Sequence, residues 1–437
     1  MTVVDRWGNA VRTDSEEAAR LLEQATTEFV LFRDDPAATL DAAVEADPDA
    51  PLPHIVRAEF DLFAQTRDGL RSAREQLAVV DTLPDVGAPR ERLHAAAAHA
   101  WADGHLGVAA RHLDRAVALD PHDLLALRVA HDLSFFTGDS RNIRDVVARA
   151  RHAWAEPDPL FGAVQGMYAF GLEENGEYHR AEEAARYALW ADGSDVWATH
   201  ALAHVFEMEA RTDEGVAFLE ESAVRWDASF FAVHNWWHLA LYRIAQDRSD
   251  LALSLFDGPV RARHSELWLD LADAASLLWR LSLVGVDIGD RAAALVPAVE
   301  PKSGDGLSAF NDLHAVMVFG LAGRHDLVDA VLGGASGTEG TTYARALALS
   351  GTGLLHGFRA FARGDATEAV DHLLVARGHS ALIGGSVAQR DVIDQTLLAA
   401  AARAGDDGLV RSLVSERVER TPAAAGPAER LVEVNRS

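Results

Sequence analysis

The chain has 437 residues, no cysteine and a formal net charge of −27, and Lys302 is its only lysine. The length suffices for about two to four domains or one repeat array, and the absence of cysteine excludes disulfide scaffolds, thiolate zinc sites, iron–sulfur clusters and cysteine nucleophiles. The acidic balance argues against nucleic-acid binding and a polybasic membrane anchor, while a single lysine nearly excludes a P-loop or Schiff-base enzyme.

The start of the chain and its hydropathy predict a cytoplasmic protein. Residues 1–7 lack the apolar region of a signal peptide, and no apolar run approaches the length of a membrane-spanning helix. No nucleotide-cofactor fingerprint, Walker A motif or Gly-x-Ser-x-Gly elbow occurs. The preference for arginine over lysine, with abundant alanine and glycine, is typical of high-GC bacterial genomes.

Apolar residues recur at helical spacing almost throughout, so the sequence predicts an all-α protein. Residues 106–119 are an example, with an apolar stripe that ends at Asp120-Pro121. Small turn residues recur at intervals of 34 to 38 residues, at Gly104, Gly138, Gly176 and Asp213. Each interval reads as helix, turn, helix and loop, which is the tetratricopeptide pattern.

The repeats are expected to form one continuous tetratricopeptide-like superhelix of helix-turn-helix pairs rather than separable domains. Between about Gly258 and Gly353 the period loosens and the loops lengthen. The predicted segments are an N-terminal helical cap (1–36), tetratricopeptide-like repeats (37–257), irregular repeats with longer loops (258–353), and C-terminal repeats with a tail (354–437).

Histidines recur at the same period. His200 and His204 lie four residues apart on one predicted helix, and His234 and His238 lie 34 residues later, again four apart. Residues four apart share a helix face, and in a solenoid the equivalent faces of successive helices stack. The four imidazoles are therefore expected to lie close together.

Acidic residues continue this pattern, and carboxylates buried in apolar helices need a cation, a metal or hydrogen-bond donors. Imidazoles facing carboxylates suit zinc, iron, manganese or copper, and also general acid–base catalysis. Metal-ligand roles are predicted for His200, His204, His234, His238, Asp270, Asp312 and His314. Catalytic roles are predicted for Glu207, Asp273 and Tyr168. The alternative is a structural His–Asp network that only locks neighbouring repeats.

Further polar and aromatic residues are candidates for substrate binding. They are His131, Asp132, Trp236, Trp237 and Arg390. Ser386 and Gln389 fit a capping box just before Arg390, and the start of that helix offers an anion site. The competing interpretation of this segment is a well-capped helix with structural ion pairs.

Several motifs together resemble the tetratricopeptide repeat protein 38 family, also called StaR-like, over about residues 37–403. The matching segments are Arg90–His94, Leu124–Asp132, Tyr168–Glu174, Trp197–Met208, His234–Tyr242, Phe310–His314 and Ile383–Val392. The sequence departs from the family at Val387, where another polar residue is common, and at Ala292, where an aromatic residue is common. Neither position belongs to the predicted cluster.

The resemblance implies an α-helical, tetratricopeptide-like fold. Bacterial members of the family are associated with glycopeptide antibiotic biosynthesis, where a hydroxylating role has been suggested. The matching segments do not identify the chemistry of the predicted ligands that they contain, which are His200, His204, His234, His238, Asp312 and His314.

Two functions are therefore expected. The first is a metal-dependent enzyme, most plausibly an oxidoreductase, that acts on a small molecule or natural-product intermediate inside the superhelix with iron, manganese, copper or zinc. The second is a non-enzymatic scaffold that binds a peptide or protein in its concave groove.

Overall fold

A computed structural model describes residues 2–83, 87–421 and 424–436 in two compact units. The first unit comprises Met1–Leu202, Val224–Ala232 and Gly340–Thr342, and the second comprises Ala203–Ala223, Val233–Glu339 and Tyr343–Ser437. Of the predicted tail, residues 422–423 lie outside the described part of the chain. Among the described helices, none is both long and apolar enough to cross a membrane.

The N-terminus forms a two-stranded hairpin that the helical periodicity did not predict. Strand β1 (Thr2–Val4) runs antiparallel to β2 (Ala10–Arg12), with Val3 opposite Val11. The carboxylate of Asp5 accepts hydrogen bonds from the backbone N–H groups of Trp7 and Asn9 and thereby fixes the turn. Strands of three residues are too short for an alternating pattern to stand out in the sequence.

The first unit is otherwise helical. Its described helices are α1 (Glu16–Leu31), α2 (Pro36–Ala46), α3 (Pro51–Leu62), α4 (Arg67–Thr82), α5 (Pro89–Ala102), α6 (Leu106–Leu119), α7 (Leu124–Phe136), α8 (Ser140–Arg151), α9 (Phe161–Glu173) and α10 (Tyr178–Ala191). Four helices have residues in both units, namely α11 (Val196–Met208), α12 (Thr212–Trp226), α13 (Ala232–Ala245) and α19 (Thr342–Ala346).

Consecutive helices of the first unit pack as hairpins, with α3 on α4, α5 on α6, α7 on α8 and α9 on α10. The turns within the last three pairs contain Gly104, Gly138 and Gly176, each with a positive φ of 70° to 82° that glycine adopts without steric cost. The first helices of these pairs begin at Pro89, Leu124 and Phe161, which gives intervals of 35 and 37 residues.

The remaining helices belong to the second unit. They are α14 (Ser249–Leu255), α15 (Trp268–Leu283), α16 (Arg291–Val299), α17 (Ala309–Leu321), α18 (His325–Gly334), α20 (Thr352–Ala362), α21 (Ala366–Ala376), α22 (Val387–Arg403), α23 (Asp407–Arg420) and α24 (Ala425–Arg436). Short π-helical segments (Phe256–Val260 and Leu347–Gly351) and 3-10 segments (Glu300–Lys302 and Arg377–Ile383) occur between them.

Helix pairs build the second unit as well, with α17 on α18 and α20 on α21. Their inner faces enclose a core in which Trp279, Phe319 and Phe358 are fully buried, and the indole N–H of Trp279 donates to the Thr396 hydroxyl at 2.9 Å. The predicted all-α fold of tetratricopeptide-like helix pairs is thus confirmed.

One predicted turn position differs in the structure. The left-handed residue between α11 and α12 is Ala210, with φ of 54°, whereas Asp213 lies in the first turn of α12. An acidic residue is stabilised there by the positive end of the helix dipole. Asp213 is therefore explained by its position at the start of a helix and not by a turn.

A buried ionic cluster connects three helices of the first unit. The His94 ring meets Glu59 at Nδ1 (2.9 Å) and Asp123 at Nε2 (3.1 Å), and Arg90 donates two hydrogen bonds to Asp123. Burial opposes the charged imidazole, but the charges of Glu59 and Asp123 outweigh it and raise the pKa of His94 to about 10. His94 is therefore a buried imidazolium held between two carboxylates.

We expect Gly171→Ala to destabilise the first unit by about 1–3 kcal/mol, the usual range for overpacking. A Cβ at this position in α9 would lie 2.6 Å from Arg144 Cα and 2.8 Å from Arg144 N. Denaturant unfolding measures the effect. Gly107→Ala is the matched control, because the nearest atom to its added Cβ is the Arg111 guanidinium at 3.9 Å. It should be neutral or stabilising by up to about 1 kcal/mol.

Replacing His94 with Ala should cost about 3–5 kcal/mol, because it leaves Glu59 buried without its cation and removes one of the two cations beside Asp123. The exposed His179 on α10 is the control, and its replacement with Ala should change the unfolding free energy by less than about 0.5 kcal/mol. Equal effects of the two substitutions in equilibrium unfolding would contradict the assignment of a stabilising ionic cluster.

The same cluster predicts a pH dependence. His94 has a pKa near 6.5 when unfolded and about 10 when folded, so its stabilisation is complete below about pH 6.5 and is lost as the pH rises through 10. The stability difference between the unaltered protein and His94→Ala should therefore narrow from pH 6.5 to pH 10 in urea titrations. A constant difference would show that the imidazole is not charged.

Candidate metal centre

Three histidines converge in the second unit. His234 and His238 lie one turn apart on α13, and His204 lies on α11. The ring of His238 is 4.6 Å from that of His204 and 4.9 Å from that of His234, measured between centroids. Each of the three offers a ring nitrogen within 4.8 Å of the others, and all three side chains are at most 3% exposed.

Two of these rings each have a carboxylate within hydrogen-bond distance of Nδ1. Glu207 lies 2.9 Å from Nδ1 of His238, and Asp273 lies 2.8 Å and 2.9 Å from Nδ1 of His234. When Nδ1–H donates to a carboxylate, the lone pair of the neutral ring is on Nε2. Metal-binding histidines are oriented by carboxylates in this way.

Burial keeps the His238 imidazole neutral. Loss of solvent lowers the pKa of His238 well below 6.5, and the nearby His204, His234 and Arg280 lower it further. Burial also raises the pKa of Asp273, although His234 opposes this by stabilising the carboxylate. A neutral imidazole is the form that binds a metal, and no proton has to leave His238 first.

The side chain of Arg280 supplies a positive charge that the sequence analysis missed. It is 2% exposed, donates to the backbone carbonyls of Ala388 and Gln389, and lies 5.3 Å from the Trp237 ring. Burial lowers the pKa of Arg280 to about 10, while the charges of Asp391, Glu207 and Asp273 favour its protonation. The available signal was a single arginine in the apolar segment 277–281.

Aromatic packing holds the imidazoles in place. The ring of His234 stacks on Trp237 with centroids 5.1 Å apart, and the ring of His238 meets the same indole edge-on at 4.8 Å. The indole N–H of Trp237 donates to Ser276 on α15 at 2.9 Å. Trp237 therefore supports the cluster from within the core, and its predicted substrate contact remains a prediction.

Asp270, Asp312 and His314 lie in the second unit but have other partners. Asp270 is hydrogen-bonded to Ser265, and burial raises its pKa to about 6. Asp312 accepts from the Tyr343 hydroxyl at 2.6 Å, and burial raises its pKa to about 6 as well. Among the described residues, neither aspartate places a carboxylate oxygen within 4.8 Å of ring nitrogens of all three histidines.

The His314 ring is likewise engaged locally. Its Nδ1 lies 2.7 Å from the Phe310 carbonyl, one turn earlier on α17. Burial lowers the pKa of His314 to about 4, so the ring is neutral at physiological pH. In the described part of the chain, His314 does not place a ring nitrogen within 4.8 Å of ring nitrogens of all three other histidines either.

Several predicted site residues belong to the first unit. His200 packs its ring against Trp197 and Phe231, at 4.8 Å and 5.1 Å between centroids. His131 contacts Asp132 and the Met167 carbonyl, and burial lowers its pKa.

Two further predicted site residues, Asp132 and Tyr168, also lie in the first unit. Asp132 accepts from Arg128 at 2.8 Å, which ties it to the same helix, α7. Tyr168 lines a cleft between α8, α9 and α10.

The other predicted substrate contacts are in the second unit. Trp236 is partly buried against the core, and Arg390 donates to the backbone carbonyl of Gly385. Ser386 and Gln389 form the predicted capping box at the start of α22, with both reciprocal hydrogen bonds. Arg390 thus closes a turn beside a capped helix, and its predicted contact with substrate remains a prediction.

Two buried carboxylates of the first unit were also missed as candidates. Glu173 and Glu174, at the end of α9, are 2% and 7% exposed. The signal was available, because adjacent acidic residues directly follow a strongly apolar helix.

The geometry of the three histidines suits a small transition-metal ion. Around an ion with Zn–N-type bonds of about 2.0–2.1 Å, ligand nitrogens lie about 3.3 Å apart, so a small inward movement of the rings suffices. Nitrogen ligands with carboxylates nearby fit zinc, iron, manganese or copper. Because no cysteine is present, a thiolate site is excluded.

Comparisons with known proteins give little beyond the fold. No protein-family model matches the chain. A monomeric mutant of IFIT1 with Gppp-AAAA resembles it at 14% identity and a TM-score of 0.41, over 97% of this chain and 95% of that one. Yeast Tom70 resembles it at 14% identity and a TM-score of 0.32, over 96% and 95%. Likeness at this level does not extend to ligands or activity.

Proposed function

We propose that this helical-repeat protein binds a transition-metal ion through His204, His234 and His238. The observation that carries the proposal is the pairing of Glu207 and Asp273 with Nδ1 of two of these rings, which leaves the lone pair of each neutral ring on Nε2. A carboxylate on the far nitrogen fixes both the tautomer and the orientation of a metal-binding imidazole.

The local charge balance supports a cation. Glu207 and Asp273 contribute negative charge beside the imidazoles, and Arg280 offsets part of it. The two carboxylates together outweigh Arg280, and three neutral imidazoles do not change that balance, so a cation is electrostatically favoured beside the rings. The same charges disfavour an anionic ligand at this position.

The finer hypothesis is a metal-dependent oxidoreductase that acts on a small molecule. Three protein nitrogens leave coordination positions for substrate or water, as in catalytic sites. Glu207 and Asp273 would hold the imidazoles and serve as bases, as the sequence analysis predicted. Iron or copper would support oxidation and zinc would support hydrolysis, so the identity of the ion determines the reaction class.

The ligand roles predicted for His200, Asp270, Asp312 and His314 remain predictions. Membership of the tetratricopeptide repeat protein 38 family is likewise a proposal, supported by the His-bearing motifs in α11 and α13. Neither assignment is needed for the three-histidine site.

A binding scaffold is the second candidate function. The observation that favours it is the fold, because stacked helix pairs present extended surfaces for peptides. In that case, the His–carboxylate pairs would only lock neighbouring helices. The two functions differ in whether the folded protein requires, and retains, a metal ion.

Metal binding is tested on the purified full chain by elemental analysis and by Co²⁺ titration followed through visible absorption. We expect about one ion per chain. Glu207→Gln and Asp273→Asn should weaken binding about 10–100-fold, the usual effect of losing a carboxylate behind a ligating histidine. Simultaneous replacement of His204 and His238 with Gln should abolish it.

His179→Gln is the matched control, because this exposed histidine lies on α10 and should leave the metal content unchanged. His314→Gln tests the ligand role predicted from the sequence. Metal content that survives the double His204 and His238 replacement, in a variant with unchanged circular dichroism and melting temperature, would contradict the site. Absence of stoichiometric metal after aerobic and anaerobic reconstitution would favour the scaffold.

A further inference from the structure

A second candidate site lies in the first unit, in a cleft of about 540 Å³ formed by α8, α9 and α10. Ligand-binding clefts typically have volumes of about 300–1,000 Å³. Its lining combines two arginines, two tyrosines and a buried glutamine with apolar side chains. This cleft contains Tyr168, which the sequence analysis predicted to be catalytic.

The first polar feature is a stacked cation without an ionic partner. The guanidinium of Arg151 lies 4.2 Å from the centre of the Tyr168 ring. Its Nε is buried without a hydrogen-bond partner, and no acidic residue in the described part of the chain forms an ion pair with it. A planar guanidinium held on an aromatic face is well suited to bind a carboxylate.

The second polar feature is Gln165. Its side chain is 5% exposed and lines the cleft, yet none of the described residues hydrogen-bonds its amide. Because Gln165 lines the cleft and no described protein group satisfies its amide, the amide is available to hydrogen-bond water or a ligand there. An amide NH₂ group in the lining of this cleft is a donor suited to an anion.

The remaining lining defines the rest of the ligand. Arg180 donates to the Tyr168 hydroxyl at 2.6 Å and is also paired with Glu177, so its charge is already compensated. Glu156 and Glu183 also line the cleft and are exposed to solvent. Their negative charges limit the net positive charge of the cleft, which favours an anion with one charge over an anion with several. Apolar surface for the ligand body comes from Phe161, Leu172, Ala184 and Tyr187.

We propose that this cleft binds a small organic monocarboxylate with an apolar or aromatic body. The carboxylate would contact Arg151 and Gln165, and the body would lie against Phe161 and Tyr187, whose rings meet edge-on at 5.7 Å. One unpaired cation matches one negative charge. This site is independent of the metal proposed in the second unit.

The test uses hydrocinnamate as the probe and its neutral amide, hydrocinnamamide, as the matched compound. Isothermal titration calorimetry on the full chain should show one binding site for the acid and at least about ten-fold weaker binding of the amide, the usual contribution of a charge-assisted hydrogen bond. Saturation-transfer NMR should place the phenyl ring against the protein. No hydrocinnamate binding, or equal binding of acid and amide, overturns the proposal.

Two variants locate the site. Arg151→Gln should weaken hydrocinnamate binding at least about ten-fold, and Gln165→Met should weaken it less, because a neutral donor contributes less. Arg141→Gln is the control, since this arginine lies on the same helix with an 83% exposed side chain and pairs with Asp145. Unaltered binding by folded Arg151→Gln, or competition by inorganic phosphate as strong as by hydrocinnamate, contradicts the assignment.

Discussion

Three buried imidazoles in this protein contact carboxylates that reach them from neighbouring helices or helix ends. Glu59 and Asp123 meet His94 in the first unit, while Glu207 meets His238 and Asp273 meets His234 in the second. A polar ring buried on an inner helix needs a hydrogen-bond partner, because an unsatisfied polar group inside an apolar core costs about 1–3 kcal/mol. For these three rings the partner is a carboxylate. The helix pairs therefore have to stack in a register that brings acid and imidazole together.

The same type of contact has opposite consequences in the two units. His94 has a carboxylate at each ring nitrogen, and their combined charge raises its pKa to about 10. His238 has one carboxylate and two imidazoles as neighbours, and burial lowers its pKa well below the usual value. The first arrangement is a closed ionic lock, whereas the second keeps a neutral ring in the form that metals bind. This contrast distinguishes a structural cluster from a candidate centre.

The two proposed sites would hold their ligands by different chemistry. In the second unit, nitrogen ligands and carboxylates suit a cation. In the first, Arg151 and Gln165 suit a single negative charge beside an apolar wall. Tyr168 belongs to the cleft of the first unit, since the Arg151 guanidinium lies on its ring and Arg180 donates to its hydroxyl. The sequence analysis predicted a catalytic role for Tyr168 together with Glu207 and Asp273, whereas the structure places Tyr168 in the cleft of the first unit.

Helical periodicity, turn glycines and the lack of cysteine are local properties, so they suffice to predict the helices, their pairing and the nitrogen and oxygen character of any metal site. The periodicity also placed His234 and His238 on one face of α13. Tertiary structure decided which acid meets which ring: Asp273 reaches His234, whereas Asp312 is held by Tyr343 from a later helix. The irregular loops between residues 258 and 353 change the spacing between repeats, so the repeat period no longer predicts which side chains stack. The partners of Arg280 come from a helix more than 100 residues later in the sequence, so only the packing of the helices determines them.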